Sequence, residues 1–217
     1  MATNIVFTKS LGAASATSIA ASQAAVAGTP LTLTATPVII DTATANNSAV
    51  GRRVLITSTS GSETAVITIT GTNASGSTIS EIDTFSGSST TLASNLDYVT
   101  VTSIVPSGTI VGSLSAGTNG VGASEWKTWN WMVDPPLNIG YAVELVSGAV
   151  NYTVQYTYDD PNNLMGGVTT PLAFNTILLA QTATADSTLS TPFIATRVLI
   201  NSGTGVIRVR TVQAGIG

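Results

Sequence analysis

The stretch RRVLITSTSGSETAVITITGTNASGSTISEIDTF, residues 52–85, decides the fold class. Val, Ile and Thr dominate short runs that Gly, Ser and Asn separate, a pattern typical of β-strands joined by turns. The linker NASGS, residues 73–77, has the Asn and Gly that a tight hairpin loop needs for positive φ angles. The stretch therefore predicts a meander of strands at 52–58, 65–72 and 78–85.

The same pattern continues on both sides of this meander. It predicts further strands at 31–40, 98–105, 139–146 and 149–160, and a glycine-rich loop or hinge at 112–122. In the last of these strands, residues two apart share one face, which is apolar and aromatic. These residues are Val150, Tyr152, Val154, Tyr156 and Tyr158.

The fold predicted from these patterns is all-β, with antiparallel sandwich or barrel-like units joined by Gly/Ser-rich loops and an extended N-terminal arm. RVLINSGTG at 197–205 nearly repeats RVLITSTSG at 53–61, and each copy is interpreted as the start of a hairpin. Either a small β-unit was duplicated, or two hairpins converged in a chain of low complexity. The predicted organisation is an arm (1–30), a first β-domain (31–111), an aromatic-rich β-unit (112–165) and a C-terminal hairpin unit (166–217).

The amino-acid composition argues against several classes of function. Only 8% of the residues are charged and the mean hydropathy is +0.38, so interspersed charge gives a lone monomer little protection against association. Seven Lys and Arg and a net charge of −4 argue against nucleic acid as a partner. The chain lacks His and Cys, which removes the usual general base and thiolate chemistry, and it lacks the long apolar run of a membrane span. We therefore expect no enzyme, cofactor or metal site.

Two side-chain groups are candidate interface residues. The first is the cluster Trp126, Trp129 and Trp131, which is interpreted as core, as a subunit interface or as a sugar-stacking platform. The second is the pair Arg208 and Arg210, which share a strand face and have the geometry to meet acidic residues of a neighbouring subunit or to line a solvated strand edge.

The acidic corner Asp159–Asp160, in the sequence DDPNN, has several interpretations. A strand-to-turn transition is the main one, because adjacent strand residues point apart. A calcium site and a glycosidase carboxylate pair are the alternatives.

Taken together, the segments RRVLITSTSGSETAVITITGTNASGSTISEIDTF, YVTVTSIVPSG, NYTVQYTYDD and TRVLINSGTGVIRVRTVQAGIG resemble structural proteins of tailed bacteriophages. The resemblance implies a virion component, assembled in the host cytoplasm, that decorates or cements the capsid by bridging subunits of the major capsid protein. It would act as a homo-oligomer, with copies of itself as further partners. A tail or neck component is the first alternative, and a carbohydrate-binding adhesin module is the second.

Overall fold

The computed structural model describes residues 3–40, 50–129, 138–161 and 175–213. These residues form strands, turns and loops, with no helix among them, so the predicted all-β class with antiparallel sheets is confirmed. In chain order the strands are β1 (Thr3–Leu11), β2 (Ser15–Gln23), β3 (Val38–Ile39), β4 (Gly51–Ser58), β5 (Val66–Thr72), β6 (Thr78–Thr84), β7 (Thr91–Ala93), β8 (Thr100–Ser107), β9 (Leu114–Ala123), β10 (Lys127–Thr128), β11 (Ile139–Thr157), β12 (Asn175–Gln181), β13 (Ala185–Leu189) and β14 (Ala195–Gln213).

The described residues fall into two compact units. Unit 1 comprises those of Met1–Gly12, Ala43–Val50 and Ala123–Gly217, and unit 2 comprises those of Ala13–Thr42 and Gly51–Gly122. Each unit has its own buried apolar cluster.

This division differs from the one predicted from composition. The predicted arm, residues 1–30, contains β1 and β2, which belong to different units. β1 pairs with β14, so the two ends of the described chain share one sheet. A pairing between residues so far apart in sequence leaves no trace in local composition.

Unit 2 is a sandwich of two antiparallel sheets. One has the order β3-β8-β5-β6, and in the other β2, β9, β4 and β7 are neighbours. Val54 and Ile56 of β4 and Ile67 and Ile69 of β5 alternate with less buried residues, and all four belong to one apolar cluster. The two-residue period of the sequence therefore gives each sheet one inner face against a shared core.

The predicted hairpin loop at 73–77 is confirmed. It joins β5 to β6, whose pairing runs up to Thr72 opposite Thr78. Asn73 Oδ1 accepts the backbone N–H groups of Ser75 and Ser77, and Gly76 has a φ of 79°. Asn73 thus stabilises the turn through its side chain and Gly76 supplies the positive φ, as the sequence indicates.

Unit 1 is organised around a long two-stranded ribbon. β11 and β14 are each 19 residues long and pair antiparallel, from Ile139 opposite Gln213 to Thr157 opposite Ala195. β1 and β13 flank one half of the ribbon, and β10 and β12 flank the other half.

The ribbon folds back on itself. Tyr141 pairs with Thr211 near one end and Thr196 pairs with Tyr156 near the other, yet the Tyr141 hydroxyl donates to Thr196 Oγ1 at 2.7 Å. Tyr141 and Tyr156 belong to the same apolar cluster. The two halves therefore face each other across one core, which makes unit 1 a second sandwich-like unit.

Glycines lie at the bend of the ribbon. Gly148 and Gly203 have φ values of 72° and 91°, a region that residues with a Cβ rarely adopt. The pairing also shifts register between Leu145 and Ser147. Positive φ and a bulge are the usual means of bending a strand pair sharply.

The interpretation of the repeated segments as two hairpins is wrong. The first copy leads from β4 to β5, which lie in different sheets of unit 2. The second copy lies inside the single strand β14. Similar sequences have different roles here because tertiary pairing, rather than the local residue pattern, decides where each strand bends or ends.

Other local predictions also differ from the structure. Residues 112–122 are mostly strand β9, and at Gly117 the Ser15 carbonyl leaves no space for a Cβ. The glycine is thus required by the close approach of β2 rather than by a loop. Of residues 31–40, only Val38–Ile39 form a strand, and Tyr158 is exposed although the rest of its predicted face is buried.

Candidate assembly surface

The first half of the ribbon, with β13 and β1, forms a four-stranded sheet in the order β13-β11-β14-β1. Its inner residues, such as Val143 and Val209, are buried in the core of unit 1. Because side chains alternate along a strand, their sequence neighbours form the opposite side, which we name the outer face. The outer face consists of Val6, Thr8, Ser10, Gly140, Ala142, Glu144, Asp186, Thr188, Val206, Arg208, Arg210 and Val212.

The candidate residues Arg208 and Arg210 lie on the outer face and share one carboxylate. Glu144 Oε2 is 3.3 Å from Arg208 Nη1 and 2.9 Å from Arg210 Nη1. Glu144 lies directly opposite Arg208 in the β11–β14 pairing, and Arg210 is the diagonal neighbour. Both arginines therefore have an acidic partner within the chain, and the pairs are exposed enough to contribute about 0–1 kcal/mol each to stability.

Two exposed valines lie beside these charges. The exposed fraction is 53% for Val6 on β1 and 47% for Val212 on β14. Val6 lies opposite Arg210 in the β1–β14 pairing. Exposed apolar side chains on a sheet face whose charges neutralise one another favour contact with another protein surface.

β1 forms one edge of this four-stranded sheet. It pairs with β14 over nine consecutive positions, from Thr3 opposite Gln213 to Leu11 opposite Gly205, without a register shift. Among the described residues, no strand pairs with its other side. A long, regular edge of this kind offers backbone hydrogen-bonding groups to another strand.

The one charged residue of β1 is turned inward. The Lys9 side chain is 5% exposed, and its Nζ is 2.8 Å from Glu125 Oε2, while Lys127 Nζ is 2.8 Å from Glu125 Oε1. Burial works to raise the pKa of Glu125, but the hydrogen bonds from Lys127 and Lys9 together lower it to about 2. The charge of Lys9 is thus neutralised inside unit 1 and does not guard the edge.

The structure describes two of the three candidate tryptophans, and they differ in burial. Trp129 is 6% exposed and packs edge-to-face on Tyr141, with 6.0 Å between the ring centroids. It donates its indole N–H to Thr196 Oγ1 at 2.8 Å. It is a core residue, so its ring faces are not accessible for sugar stacking. Trp126 is half-buried with the Arg197 guanidinium 4.7 Å from its ring centroid, and Trp131 lies outside the described residues.

A buried carboxylate in unit 2 has no counterpart in the sequence analysis. Glu63 is inaccessible to solvent and follows β4 in the connection to β5. Burial works to raise its pKa, but hydrogen bonds, the largest from the Gly112 backbone, lower it below the usual value. Its donors are the Ser58 hydroxyl at 3.0 Å and the N–H groups of Thr64 at 3.1 Å, Ala65 at 3.1 Å, Val111 at 3.2 Å and Gly112 at 3.0 Å.

The Asp159–Asp160 corner follows β11, and Thr157 Oγ1 accepts the Asp159 backbone N–H at 3.0 Å. This is the turn geometry expected at the end of a strand. The two Asn residues of DDPNN lie outside the described residues. Within the described ranges, no three acidic residues come together in a way that could hold a metal ion.

No protein-family model, curated protein or solved structure matches this chain. The described residues also contain no helix with the length and hydropathy needed to cross a bilayer.

Of the outer face, the residue pattern indicates only Arg208 and Arg210 as candidates. Arg208 and Arg210 were found because same-face cations are visible at a spacing of two. Val6 and Glu144 were missed because their importance depends on strand order and register. The pattern NIVFTKSL at 4–11 has the alternation of a strand, and this signal could have identified β1.

Proposed function

We propose that this chain is a non-enzymatic structural subunit that is built into a larger protein assembly. The observation that carries the proposal is the regular, open edge of β1 beside an outer face that exposes Val6 and Val212. Soluble monomers usually interrupt or guard such an edge with charges, prolines or bulges. The low charge content of the chain supports the same conclusion.

Among the residues that the structure describes, unit 2 supplies a second open edge. β6 ends the sheet β3-β8-β5-β6, and its Ile82 is 70% exposed. A subunit that bridges neighbours needs at least two contact regions, and the two units of this chain each contain one. Many weak contacts of this kind would stabilise a shell through multivalency.

We propose further that the assembly is the virion of a tailed bacteriophage. The resemblance of the strand segments to phage structural proteins supports this proposal. In this role the chain would decorate the head and bridge subunits of the major capsid protein, together with copies of itself. It would join the particle in the host cytoplasm.

The test is the location of the chain in purified particles of a phage that encodes it. Mass spectrometry and electron microscopy should find it as a regular lattice over the head, and shells that lack it should open at a lower temperature. A ring at one vertex or along the tail would place it in the neck or tail instead. Absence from the particle would overturn the virion proposal.

A further inference from the structure

The edge of β1 lacks the features that normally prevent strands from pairing. The segment TNIVFTKSL has no proline, and its pairing with β14 has no bulge. Its one charged side chain, Lys9, is buried against Glu125. In an antiparallel strand every second residue directs its N–H and C=O away from its partner, so β1 presents a ladder of such groups on the side where no described strand pairs with it.

The residue pattern of β1 matches itself in one antiparallel register. If Val6 lies opposite Val6 of a second copy, Ile5 lies opposite Phe7 of that copy and Phe7 opposite Ile5. Both of these residues pack against the core of unit 1, and Val6 is on the outer face. Apolar residues thus oppose apolar residues on both sides of the joined sheet, an arrangement that stabilises cross-strand pairs.

Neighbouring registers lack this match. Centring the pair on Phe7 would place Lys9 opposite Ile5 and would place Val6 opposite Thr8. Centring it on Thr8 would place Lys9 opposite Phe7. Each puts a charged residue against an apolar one, whereas the Val6 register places Lys9 opposite Thr3.

We propose that β1 pairs antiparallel with β1 of a second copy of this chain, across a twofold axis that passes beside Val6. The two four-stranded sheets then become one eight-stranded sheet in a closed, isologous dimer. The two exposed Val6 side chains then contact each other across the axis on the outer face. The proposal deepens the assembly role proposed above, because it names the partner of the β1 edge.

Cysteine crosslinking tests the register directly, because the chain has no cysteine of its own. Directly opposed residues of an antiparallel pair have Cα atoms about 4.5–5.5 Å apart, within the range of about 4.4–6.8 Å that a disulfide spans. Val6→Cys should therefore give a crosslinked dimer under mild oxidation, and reduction should return the monomer.

Val212→Cys is the matched control. Val212 lies on the same face with similar exposure, but on β14, so it would be separated from its copy by at least three strand spacings, or about 14 Å. This variant should remain monomeric on a non-reducing gel. Circular dichroism should show both variants folded, since each replaces an exposed valine.

A folded Val6→Cys variant that does not crosslink would overturn the proposal, as would equal crosslinking of both variants. A different strand seated on the edge, from another protein or from this chain, would give the first of these results. If Val6→Cys does not crosslink but the chain is found in virions, the assembly proposal still stands. Crosslinking with the chain absent from virions would instead remove only the virion proposal.

Discussion

Tyr141 and Thr196 lie near opposite ends of the β11–β14 ribbon, and their side-chain oxygens are 2.7 Å apart. Thr196 Oγ1 also accepts the indole N–H of Trp129 at 2.8 Å. Burial raises the pKa of Tyr141, so its hydroxyl remains a donor into the alkaline range. One threonine oxygen thus accepts from two buried aromatic side chains and holds the two halves of unit 1 together.

Thr196→Val should destabilise the protein more than Tyr141→Phe. The first variant leaves two buried donors without an acceptor and should lower the free energy of unfolding by about 2–4 kcal/mol. The second removes one donor and leaves the Trp129 bond intact, so the loss should be about 1 kcal/mol. Urea denaturation followed by tryptophan fluorescence measures both, and an equal loss would contradict the shared-acceptor geometry.

Glu63→Gln should destabilise unit 2 although it changes no exposed residue. The amide has one acceptor oxygen where the carboxylate has two, and its NH₂ group would face backbone donors. We expect a loss of about 2 kcal/mol or more in the free energy of unfolding, against about 1 kcal/mol for Ser58→Ala. A Glu63→Gln protein as stable as the parent near neutral pH would contradict this account.

The difference between the parent and Glu63→Gln should depend on pH. The pKa of Glu63 in the folded state is below its usual 4.5, so the ionised form stabilises the fold above pH 4.5. This contribution is lost as the pH falls through the folded-state pKa. Denaturation curves of the two proteins should therefore converge in acid. A stability difference that grew in acid would contradict a lowered pKa of Glu63 in the folded state.

Lys9→Met should cost more stability than Lys127→Met, although both lysines bind Glu125. The Lys9 side chain is 5% exposed and that of Lys127 is 38% exposed. Water can therefore solvate Glu125 in place of Lys127 more easily than in place of Lys9. We expect a loss of about 2 kcal/mol for Lys9→Met and less than about 1 kcal/mol for Lys127→Met, measured by thermal or urea unfolding.

Ionisation of Glu125 should make the stability of the protein depend on pH in the acid range. The pKa of Glu125 is lowered to about 2, so its pairing stabilises the fold above the usual value of 4.5 and weakens as the pH falls toward 2. Glu125→Gln should be less stable than the parent near neutral pH and should lose less stability over this range. If the free energies of unfolding of both proteins fell in parallel, groups other than Glu125 would cause the acid sensitivity.

The sequence predicts strands where burial alternates along one element, and it fails where the outcome depends on distant chain segments. Val54, Ile56, Ile67 and Ile69 are buried as their two-residue period indicates. The strand β9 was missed because Gly117 accommodates the backbone of β2 in three dimensions. A glycine required by a close approach and a glycine required by a turn look alike in a sequence.

The candidate surface was only partly predictable for a related reason. Arg208 and Arg210 are visible as neighbours on one strand face, but their partner Glu144 depends on the register of β11 against β14. The burial of Trp129 depends on the fold of the ribbon, which brings Thr196 to its indole nitrogen. Contacts between segments about 60 residues apart are set by topology, which local patterns do not encode.

The central claim is that β1 pairs with β1 of a second copy of this chain, and sedimentation velocity over a range of concentrations tests it most directly. The parent protein should form dimers that dissociate on dilution. Val6→Lys should remain monomeric because two like charges would face each other at the axis, whereas Val212→Lys, one strand away, should dimerise like the parent. A parent protein that is monomeric at all concentrations, or a Val6→Lys variant that dimerises as well as Val212→Lys, would contradict the account.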